Sequence, residues 1–293
     1  MQAAELNANE LDVAGEQALY RALRHFWHPV MYAADLDERP RQVFLLDQQL
    51  VVVRLGGEVR CFPDLCVHRG TALSLGWVEG DQLRCAYHGW KYGPDGVCTE
   101  IPARFGSNIP RRARLRSYRA QEQGGMIWVS LVEEPAFPIP EFPEFEDPSY
   151  RSFPVPSYEW HCSAARRIEN YVDFAHFAWV HDGLLGSRDQ PEVPDHDTWR
   201  EGGELRFGYG FDEQESAARA TDRAGLPFQT GTVLEDKSYR LFIPSTVWLR
   251  QRLPDGNYVL FFSASPVSSK RTRCFTFMAR NYDLEPEHDG KFL

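Results

Sequence analysis

Two short segments of the sequence each carry one cysteine and one histidine. The segment CVHRG spaces Cys66 and His68 as C-x-H, and CAYHGW spaces Cys85 and His88 as C-x-x-H. Thiolates and imidazoles are soft or borderline metal ligands, so the two segments together can supply four ligands to one site. The paired chemistry favours a metal site built by two loops over two unrelated pairs of reduced cysteines and surface histidines.

The mixture of ligands within each loop favours an iron–sulfur cluster over zinc. Zinc fingers and ribbons usually pair like ligands, as C-x-x-C knuckles or as a cysteine pair with a histidine pair. In a [2Fe–2S] cluster, Cys66 and Cys85 can hold one iron while His68 and His88 hold the other, and the neutral imidazoles raise the reduction potential. A zinc site on the same four residues is the main alternative.

A second group of polar residues lies in the otherwise apolar stretch ENYVDFAHFAWVHDG, residues 169–183. Its candidates are Asn170, Asp173, His176 and His181. Two imidazoles and one carboxylate form the facial triad that leaves positions open on Fe(II) for dioxygen. On a straight helix His181 would lie about 140° round from His176, so we expect either altered winding or a helix that ends near His181. The stretch predicts a mononuclear iron site supplied with electrons by the cluster.

The elements around these residues predict two domains after a helical lead-in at residues 1–40, where Pro29 should end or kink the helix. Short β-like runs separated by Gly and Asp turns predict a small antiparallel β domain at residues 41–134. The segment from Val132 to Pro156 holds seven prolines, which exclude a helix or a central strand and mark the boundary.

Residues 135–293 predict an antiparallel sheet with one helix packed on it, which makes the whole chain α+β. The strand candidates are SYEWHCSA, ELRFGYGF, YRLFIP, STVWLRQRL, NYVLFFSASPV and TRCFTFMARNY. Five large aromatic residues on these strands are candidates for a flat apolar pocket, although strand alternation assigns about half of them to the core. They are Trp248, Phe261, Phe262, Phe275 and Phe277.

Composition sets outer limits on function. The 293 residues are 43% hydrophobic, enough for a sizeable core. With 32 Lys and Arg against 42 Asp and Glu, the net charge of -10 argues against binding to nucleic acid or anionic lipid. No apolar run approaches the roughly 18 residues of a membrane span, and the N-terminus is acidic, so we predict a cytoplasmic protein. Six cysteines are too sparse for a disulfide scaffold.

The two cysteine–histidine segments resemble the loops of a Rieske domain, and the HGW of the second segment resembles the oxygenase type. The pattern N-x-x-D-x-x-H-x-x-x-x-H downstream resembles the mononuclear iron motif of Rieske non-haem iron ring-hydroxylating oxygenases. The similarity lies closest to the aromatic monooxygenase, O-demethylase and phenoxybenzoate dioxygenase branch. It implies an all-β Rieske domain followed by a catalytic domain of the helix-grip type.

The resemblance also implies the role of each candidate residue. The [2Fe–2S] ligands would be Cys66, His68, Cys85 and His88, and the Fe(II) ligands His176 and His181. Asp173 corresponds to a carboxylate that links an iron-site histidine to a cluster histidine of a neighbouring subunit, and Asn170 to a polar residue beside the iron. A homotrimer follows, because the two metal sites of one subunit are too far apart in this family.

The implied function is that of a terminal oxygenase component. Electrons from NAD(P)H would pass through a separate reductase, with or without a ferredoxin, to the cluster and then to Fe(II). Dioxygen activated there would hydroxylate or O-dealkylate a small aromatic substrate. Two other classes remain open: a Rieske-type electron carrier without a functional mononuclear site, and a zinc-stapled binding module.

Two further features concern the end of the chain and its charge. The family's third iron ligand, an acidic residue of a closing helix, is not assigned. The last acidic residues lie in a segment that predicts a polar turn rather than a helix, namely Asp283, Glu285, Glu287 and Asp289. We therefore expect a truncated chain whose third iron ligand lies beyond residue 293. Residues 104–119 hold six arginines and no acid, which indicates either a docking patch for an acidic electron donor or a solvated or subunit-contact face.

Overall fold

The computed structural model describes residues 13–104, 108–182, 187–193, 196–208, 237–253 and 255–292, and the statements below concern these residues. Strands dominate, and they form four antiparallel sheets within the described ranges. No helix among these residues is long and apolar enough to cross a membrane.

The N-terminal segment changes from helix to strand before the β domain begins. Helix α1 (Val13–Ala22) is followed by a 3₁₀ turn at Leu23–His25 and by strand β1 (His28–Tyr32). Proline has no backbone N–H and fixes φ, so Pro29 fits a strand that follows a completed helix. The helical lead-in predicted for residues 1–40 therefore differs from the structure from His28 onward.

The β domain consists of three small antiparallel sheets. Strand β1 pairs with β10, which pairs with β9. The second sheet has the order β2-β3-β4 and the third β5-β6-β7-β8. The strands are β2 (Arg41–Leu45), β3 (Gln48–Leu55), β4 (Glu58–Pro63), β5 (Trp77–Glu79), β6 (Gln82–Arg84), β7 (Lys91–Tyr92), β8 (Cys98–Glu100), β9 (Arg119–Gln123) and β10 (Met126–Ser130). The predicted antiparallel β architecture is confirmed.

The proline-rich connector ends earlier than the prediction had it. A 3₁₀ turn at Pro143–Phe145 precedes β11 (Arg151–Trp160), so the last two prolines of the connector lie inside a strand. β11 is an edge strand that pairs only with β17 (Arg271–Arg280), and its register shifts between Val155 and Tyr158. An edge strand with a bulge tolerates proline because one row of its backbone groups needs no ladder partner.

The second domain is built on a seven-stranded antiparallel sheet in the order β11-β17-β16-β15-β14-β13-β12. Apart from β11, strands that follow each other in sequence are neighbours in space. Helices α2 (Ala164–Val172) and α3 (Phe177–Val180) lie beside one face, and a 3₁₀ helix at Pro286–Lys291 follows the last strand. The remaining strands are β12 (Asp197–Glu201), β13 (Glu204–Gly208), β14 (Lys237–Phe242), β15 (Thr246–Leu253) and β16 (Gly256–Ser268). The predicted helix-on-sheet architecture is confirmed.

The large sheet is buried on both faces. On one face Trp248, Phe261 and Phe277 form a row across three strands. This row shares a core with Tyr32 and Trp128 of the β domain. The opposite face packs against α2. Because side chains alternate along a strand, each strand serves both cores at once.

Tyr32 joins the two domains through a buried hydroxyl. The hydroxyl donates to the carbonyl of Val155 at 2.7 Å and accepts from the N–H of Thr276 at 2.9 Å. Its ring packs edge-on against Phe275 and Phe277. Burial raises the pKa of Tyr32 to about 12, so the hydroxyl stays protonated and able to donate at neutral pH.

We expect Tyr32→Phe to lower the free energy of unfolding by about 1–3 kcal/mol, because it strands a buried N–H and a buried carbonyl at the domain junction. Chemical denaturation followed by tryptophan fluorescence measures this. Tyr20→Phe is the matched control, since the Tyr20 hydroxyl bonds to Asp47 at the surface. Equal effects of the two substitutions would contradict a specific role for the junction.

Candidate metal centres and active-site cavity

The two cysteine–histidine loops have the same backbone hydrogen bonds. In each loop the cysteine carbonyl accepts from a glycine N–H four residues later, and the cysteine N–H donates to a carbonyl five residues later. The first loop has Gly70 to Cys66 and Cys66 to Thr71, each at 2.8 Å, and the second has Gly89 to Cys85 at 3.1 Å and Cys85 to Trp90 at 2.9 Å. Both glycines have φ near +70°, a conformation that few other residues adopt. The sequence thus encodes two similar turns.

These turns bring the four predicted cluster ligands together. Cys66 and Cys85 are buried, with 3% and 1% exposure. The imidazole rings of His68 and His88 lie 4.5 Å apart between centroids. His68 Nδ1 is buried without a hydrogen-bond partner in the described structure, although buried ring nitrogens are normally paired. Two buried thiols beside two imidazoles, one with an orphaned nitrogen, fit a [2Fe–2S] cluster.

The protonation of these groups also suits metal ligation. Burial, the neighbouring His88 and Arg69 lower the pKa of His68, which favours the neutral imidazole that binds metal. Burial raises the pKa of Cys66, while hydrogen bonds from Tyr92 and the His68 backbone act in the opposite direction. A coordinating metal ion reverses the effect of burial by stabilising the thiolate.

Aromatic residues next to three of the four ligands were not among the predicted site residues. Trp90 stacks on His68 with ring centroids 4.6 Å apart and an interplanar angle of 7°. The exposed ring of Tyr87 lies 3.9 Å from that of His88. The buried hydroxyl of Tyr92 lies 3.1 Å from Cys66 Sγ.

The second constellation lies on a broken helix. α2 begins after Ser163, whose side chain accepts from the N–H of Arg166, and ends at Val172. Asp173 is extended, with φ -86° and ψ 108°, and its side chain accepts from the N–H of Ala175 at 3.1 Å. This local turn competes with the helix and stops it, as aspartate often does. Residues 173–176 separate α2 from α3, and His181 is the C-cap of α3. Both predicted alternatives therefore hold, because the winding is interrupted and the second helix ends at His181.

The interruption places the predicted iron ligands together. The rings of His176 and His181 lie 5.2 Å apart between centroids. His176 Nδ1 lies 3.4 Å from Asp173 Oδ2, without hydrogen-bond geometry. Because that nitrogen faces the carboxylate, Nε2 is the one left for a metal. Burial and the neighbouring His176 lower the pKa of His181, which again favours the neutral ligand form.

Both histidines and Asn170 line a cavity of about 350 Å³ between the broken helix and the sheet. One cross-strand row in its wall is Tyr239, Leu249, Leu260 and Met278, and a second is Lys237, Gln251 and Tyr258. Arg167, Tyr171, Phe177 and Phe292 complete the lining. The alternation along each strand predicts which residues share a face with one another. Only the register between strands shows which residues of different strands align into these rows.

The predicted aromatic pocket was wrong. None of the five candidates lines this cavity, and all are at most 7% exposed. Four of them belong to the core shared with the β domain, namely Trp248, Phe261, Phe275 and Phe277. Phe262 faces the helices instead and stacks on Tyr171. The prediction failed because the sheet is buried on both faces, so hydrophobicity alone did not distinguish the cavity face.

Asp173 contacts His176, but no carboxylate among the described residues lies with both histidines as a third ligand. Within the described ranges, no three His, Cys, Asp or Glu side chains converge on one point as a site for a single metal ion. The predicted polar turn near the end of the chain is a 3₁₀ helix, and Asp289 within it pairs with Arg280 at 2.8 Å and Arg151 at 2.7 Å. Burial opposes its ionisation, but these arginines lower the pKa of Asp289, which is thus engaged as a structural anion.

A larger groove of about 760 Å³ lies elsewhere, along the proline-rich connector and the turn between β12 and β13. None of the candidate ligands lines it, so volume alone does not locate the chemistry.

Comparisons with known proteins divide the chain in the same order. The Rieske [2Fe-2S] domain family matches residues 26–118, and the vanillate O-demethylase oxygenase C-terminal domain family matches residues 160–291. The first match includes all four candidate cluster ligands, and the second includes both candidate iron ligands.

The chain is also similar over most of its length to two enzymes of Pseudomonas putida. It is 36% identical to methylxanthine N1-demethylase NdmA over 92% of this chain and 76% of the relative. It is 34% identical to methylxanthine N3-demethylase NdmB over 91% and 76%. The solved structure of NdmA with caffeine superposes with a TM-score of 0.83 at 35% identity, covering 93% of this chain and 78% of that one.

We expect Tyr92→Phe to lower the reduction potential of the cluster by roughly 60 mV, which is about 1.4 kcal/mol in a one-electron couple. A hydrogen bond to the thiolate stabilises the more negative, reduced state, and the substitution removes it. Protein-film voltammetry measures the potential. Tyr87→Phe removes an exposed hydroxyl from the loop that precedes β7 and should leave the potential unchanged; a similar shift in both variants would contradict this role.

Proposed function

This chain belongs to the Rieske non-haem iron oxygenases, and from that premise we propose that it catalyses oxidative demethylation of a small methylated heteroaromatic or aromatic compound. It is a terminal oxygenase component, with a [2Fe–2S] cluster and a mononuclear Fe(II) as its cofactors. Members of this family receive their electrons from a separate reductase or ferredoxin. The alternative of a zinc-stapled binding module is therefore not supported.

The observation that carries the proposal is the position of His176 and His181 in the wall of a cavity with aromatic and aliphatic sides. We assign these histidines as iron ligands, with Cys66 and His68 of one loop and Cys85 and His88 of the other as cluster ligands. When bound, the cluster supplies electrons and the iron activates dioxygen beside the substrate. The net change converts an N-methyl or O-methyl group, dioxygen, two electrons and two protons into the N–H or O–H product, formaldehyde and water.

The chain's own residues contribute binding and water exclusion. Tyr239 and Leu249 form one wall of the cavity, and Phe177 and Tyr171 lie on the side of the broken helix. Such walls favour a flat substrate and limit water, which otherwise competes at a reactive metal. A methylated heteroaromatic ring is our first candidate, because two relatives matched over 76% of their length are methylxanthine demethylases. An O-methyl aromatic acid is the second, because of the family match at residues 160–291.

We propose that Asp173 connects the two centres across a homotrimer. Its side chain contacts His176 at 3.4 Å and is 53% exposed in the single chain, so it can reach another subunit. His88 is likewise exposed at the tip of its loop. Contact between Asp173 and His88 of the next subunit would give electrons a short path, as the sequence resemblance implies.

The arginine-rich segment supports a docking role for the electron donor. Ala113 and Leu115 are buried in the same core as Cys66 and Cys85, and the arginines alternating with them are exposed. Arg111 and Arg112 have no ion-pair partner in the described part of the chain. Uncompensated positive charge beside the cluster domain would attract an acidic partner.

Metal and sulfide analysis tests the two assigned centres. We expect about three irons and two acid-labile sulfides per chain after anaerobic loading, since a cluster and one Fe(II) require them. His181→Ala should keep the cluster colour and sulfide but lose the third iron, and Cys85→Ser should lose the cluster. Bound zinc without sulfide would refute the proposal. Only two irons per chain at full loading would indicate an electron carrier without a mononuclear site.

Formaldehyde release tests the reaction itself. We expect it when the enzyme, a reductase and NADH are incubated with caffeine, theobromine or vanillate, and we expect none from His181→Ala. Hydroxylated ring products without formaldehyde would show that the reaction is ring hydroxylation rather than demethylation.

Charge reversal tests the donor site. We expect the double variant Arg111→Glu, Arg112→Glu to slow cluster reduction by the reductase about ten-fold at low ionic strength, because steering by surface charge is lost. The effect should shrink as salt rises. Arg200→Glu, on the outermost strand β12, is the control. An unchanged reduction rate in the double variant would assign the segment to a solvated or subunit-contact face.

We propose a cytoplasmic location. All six cysteines, which lie within the described ranges, are free. Free thiols fit a reducing compartment.

A further inference from the structure

Arg167 is a buried cation at the cavity. It lies on α2, is 7% exposed and lines the same cavity as Asn170, His176 and His181. Its guanidinium stacks on the rings of Trp160, Tyr171 and Phe262, at 4.3, 4.4 and 4.9 Å from their centroids. No carboxylate pairs with it among the described residues. An aromatic box of this kind would hold an apolar side chain at lower cost, so the retained charge requires an explanation.

The hydrogen bonds of the guanidinium show what the charge does. Nη1 donates to Asn170 Oδ1 at 2.5 Å, and Nη2 donates to the Tyr158 hydroxyl at 2.9 Å. Nε is buried without a partner in the described structure. The guanidinium is therefore held by two hydrogen bonds and by the faces of the three aromatic rings. A planar guanidinium fixed at both tips and on its faces has little freedom to rotate.

This contact fixes the orientation of the Asn170 carboxamide. A guanidinium has only donors, so only the amide oxygen can face it. The amide nitrogen therefore points away from Arg167. It has no hydrogen-bond partner among the described residues, and it is not among the side-chain nitrogens sealed from solvent. Asn170 thus offers an N–H donor on the side of the carboxamide opposite Arg167.

We propose that Arg167 is a positioning residue for the mononuclear centre: it holds the Asn170 carboxamide so that its N–H group donates to a ligand bound between Asn170 and the histidine pair. This inference rests on the proposed iron site. It assigns a role to a residue outside the ligand motif and gives a reason for the buried, acid-free charge.

The neighbouring arginine supplies a matched control. Arg166 is the preceding residue of the same helix and makes the same i,i+3 contact, with Glu169, but on the solvent face. Its side chain is 73% exposed and does not line the cavity. Arg166→Met and Arg167→Met therefore remove the same group one residue apart. Methionine suits the aromatic box around position 167, because sulfur packs well against rings.

Nitric oxide is the probe, and electron paramagnetic resonance of the full chain loaded anaerobically with Fe(II) is the measurement. The nitrosyl signal of the iron reports donors to the bound ligand, and the separate signal of the reduced cluster reports an intact fold. We expect Arg167→Met to lose the wild-type nitrosyl line shape and to reproduce that of Asn170→Ala. The double variant Arg167→Met, Asn170→Ala should match either single variant, since each substitution already removes the hydrogen bond from Asn170 to the bound ligand. Arg166→Met should keep the wild-type signal.

A second variant tests the donor independently of how well Arg167→Met folds. Asn170→Asp keeps an acceptor for Arg167 but has no N–H group, so we expect the same altered line shape as in Asn170→Ala. A wild-type signal in Asn170→Asp or in Arg167→Met would overturn the inference, as would equal changes in Arg166→Met. If unaltered protein with an intact cluster signal gives no nitrosyl signal, the iron site of the proposed function fails, and the inference fails with it. A signal that is present but insensitive to position 167 sinks the inference alone.

Discussion

The seven-stranded sheet must bury both of its faces, and the rest of the molecule depends on this constraint. Trp248, Phe261 and Phe277 turn toward the β domain, while Tyr239 and Leu249 on alternate positions turn toward the broken helix. A sheet covered on one side only would expose a large apolar surface to water. The β domain and the candidate cavity therefore lie on opposite faces of one sheet.

The fold holds the candidate ligands of the two proposed metal centres by different means. The cluster loops are short turns closed by glycines with left-handed φ, and their shape comes from backbone hydrogen bonds within each loop. The iron-site histidines depend instead on an interrupted helix that leans against the sheet. In both places a buried imidazole nitrogen lacks a hydrogen-bond partner among the described residues, namely Nδ1 of His68 and Nδ1 of His176. Such local deficits are costly to folding, and they mark positions where a cofactor completes the structure.

Buried arginines connect these regions to the sheet. Arg280 is fully buried beneath the terminal 3₁₀ helix, where it pairs with Asp289 and packs on Phe292, a residue of the cavity lining. Arg167 of α2 is buried with no carboxylate partner in the described part of the chain, and its hydrogen-bond partners are a carboxamide and a phenol. The first satisfies its charge locally and is structural. Arg167 differs from Arg280 because its charge at the cavity is not paired with a carboxylate among the described residues.

The sequence alone determined the chemistry that depends on local spacing. The C-x-H and C-x-x-H segments identified the cluster loops, and alternating runs identified most strands, because turns and strands follow from neighbouring residues. It also limited the candidates for the proposed iron site to four polar residues of one stretch. The tertiary structure decided which face of each strand lines the cavity, since Leu249, Leu260 and Met278 align only through register between distant strands. It also brought Tyr92 to Cys66, because pairwise contacts of side chains depend on the folded backbone rather than on spacing.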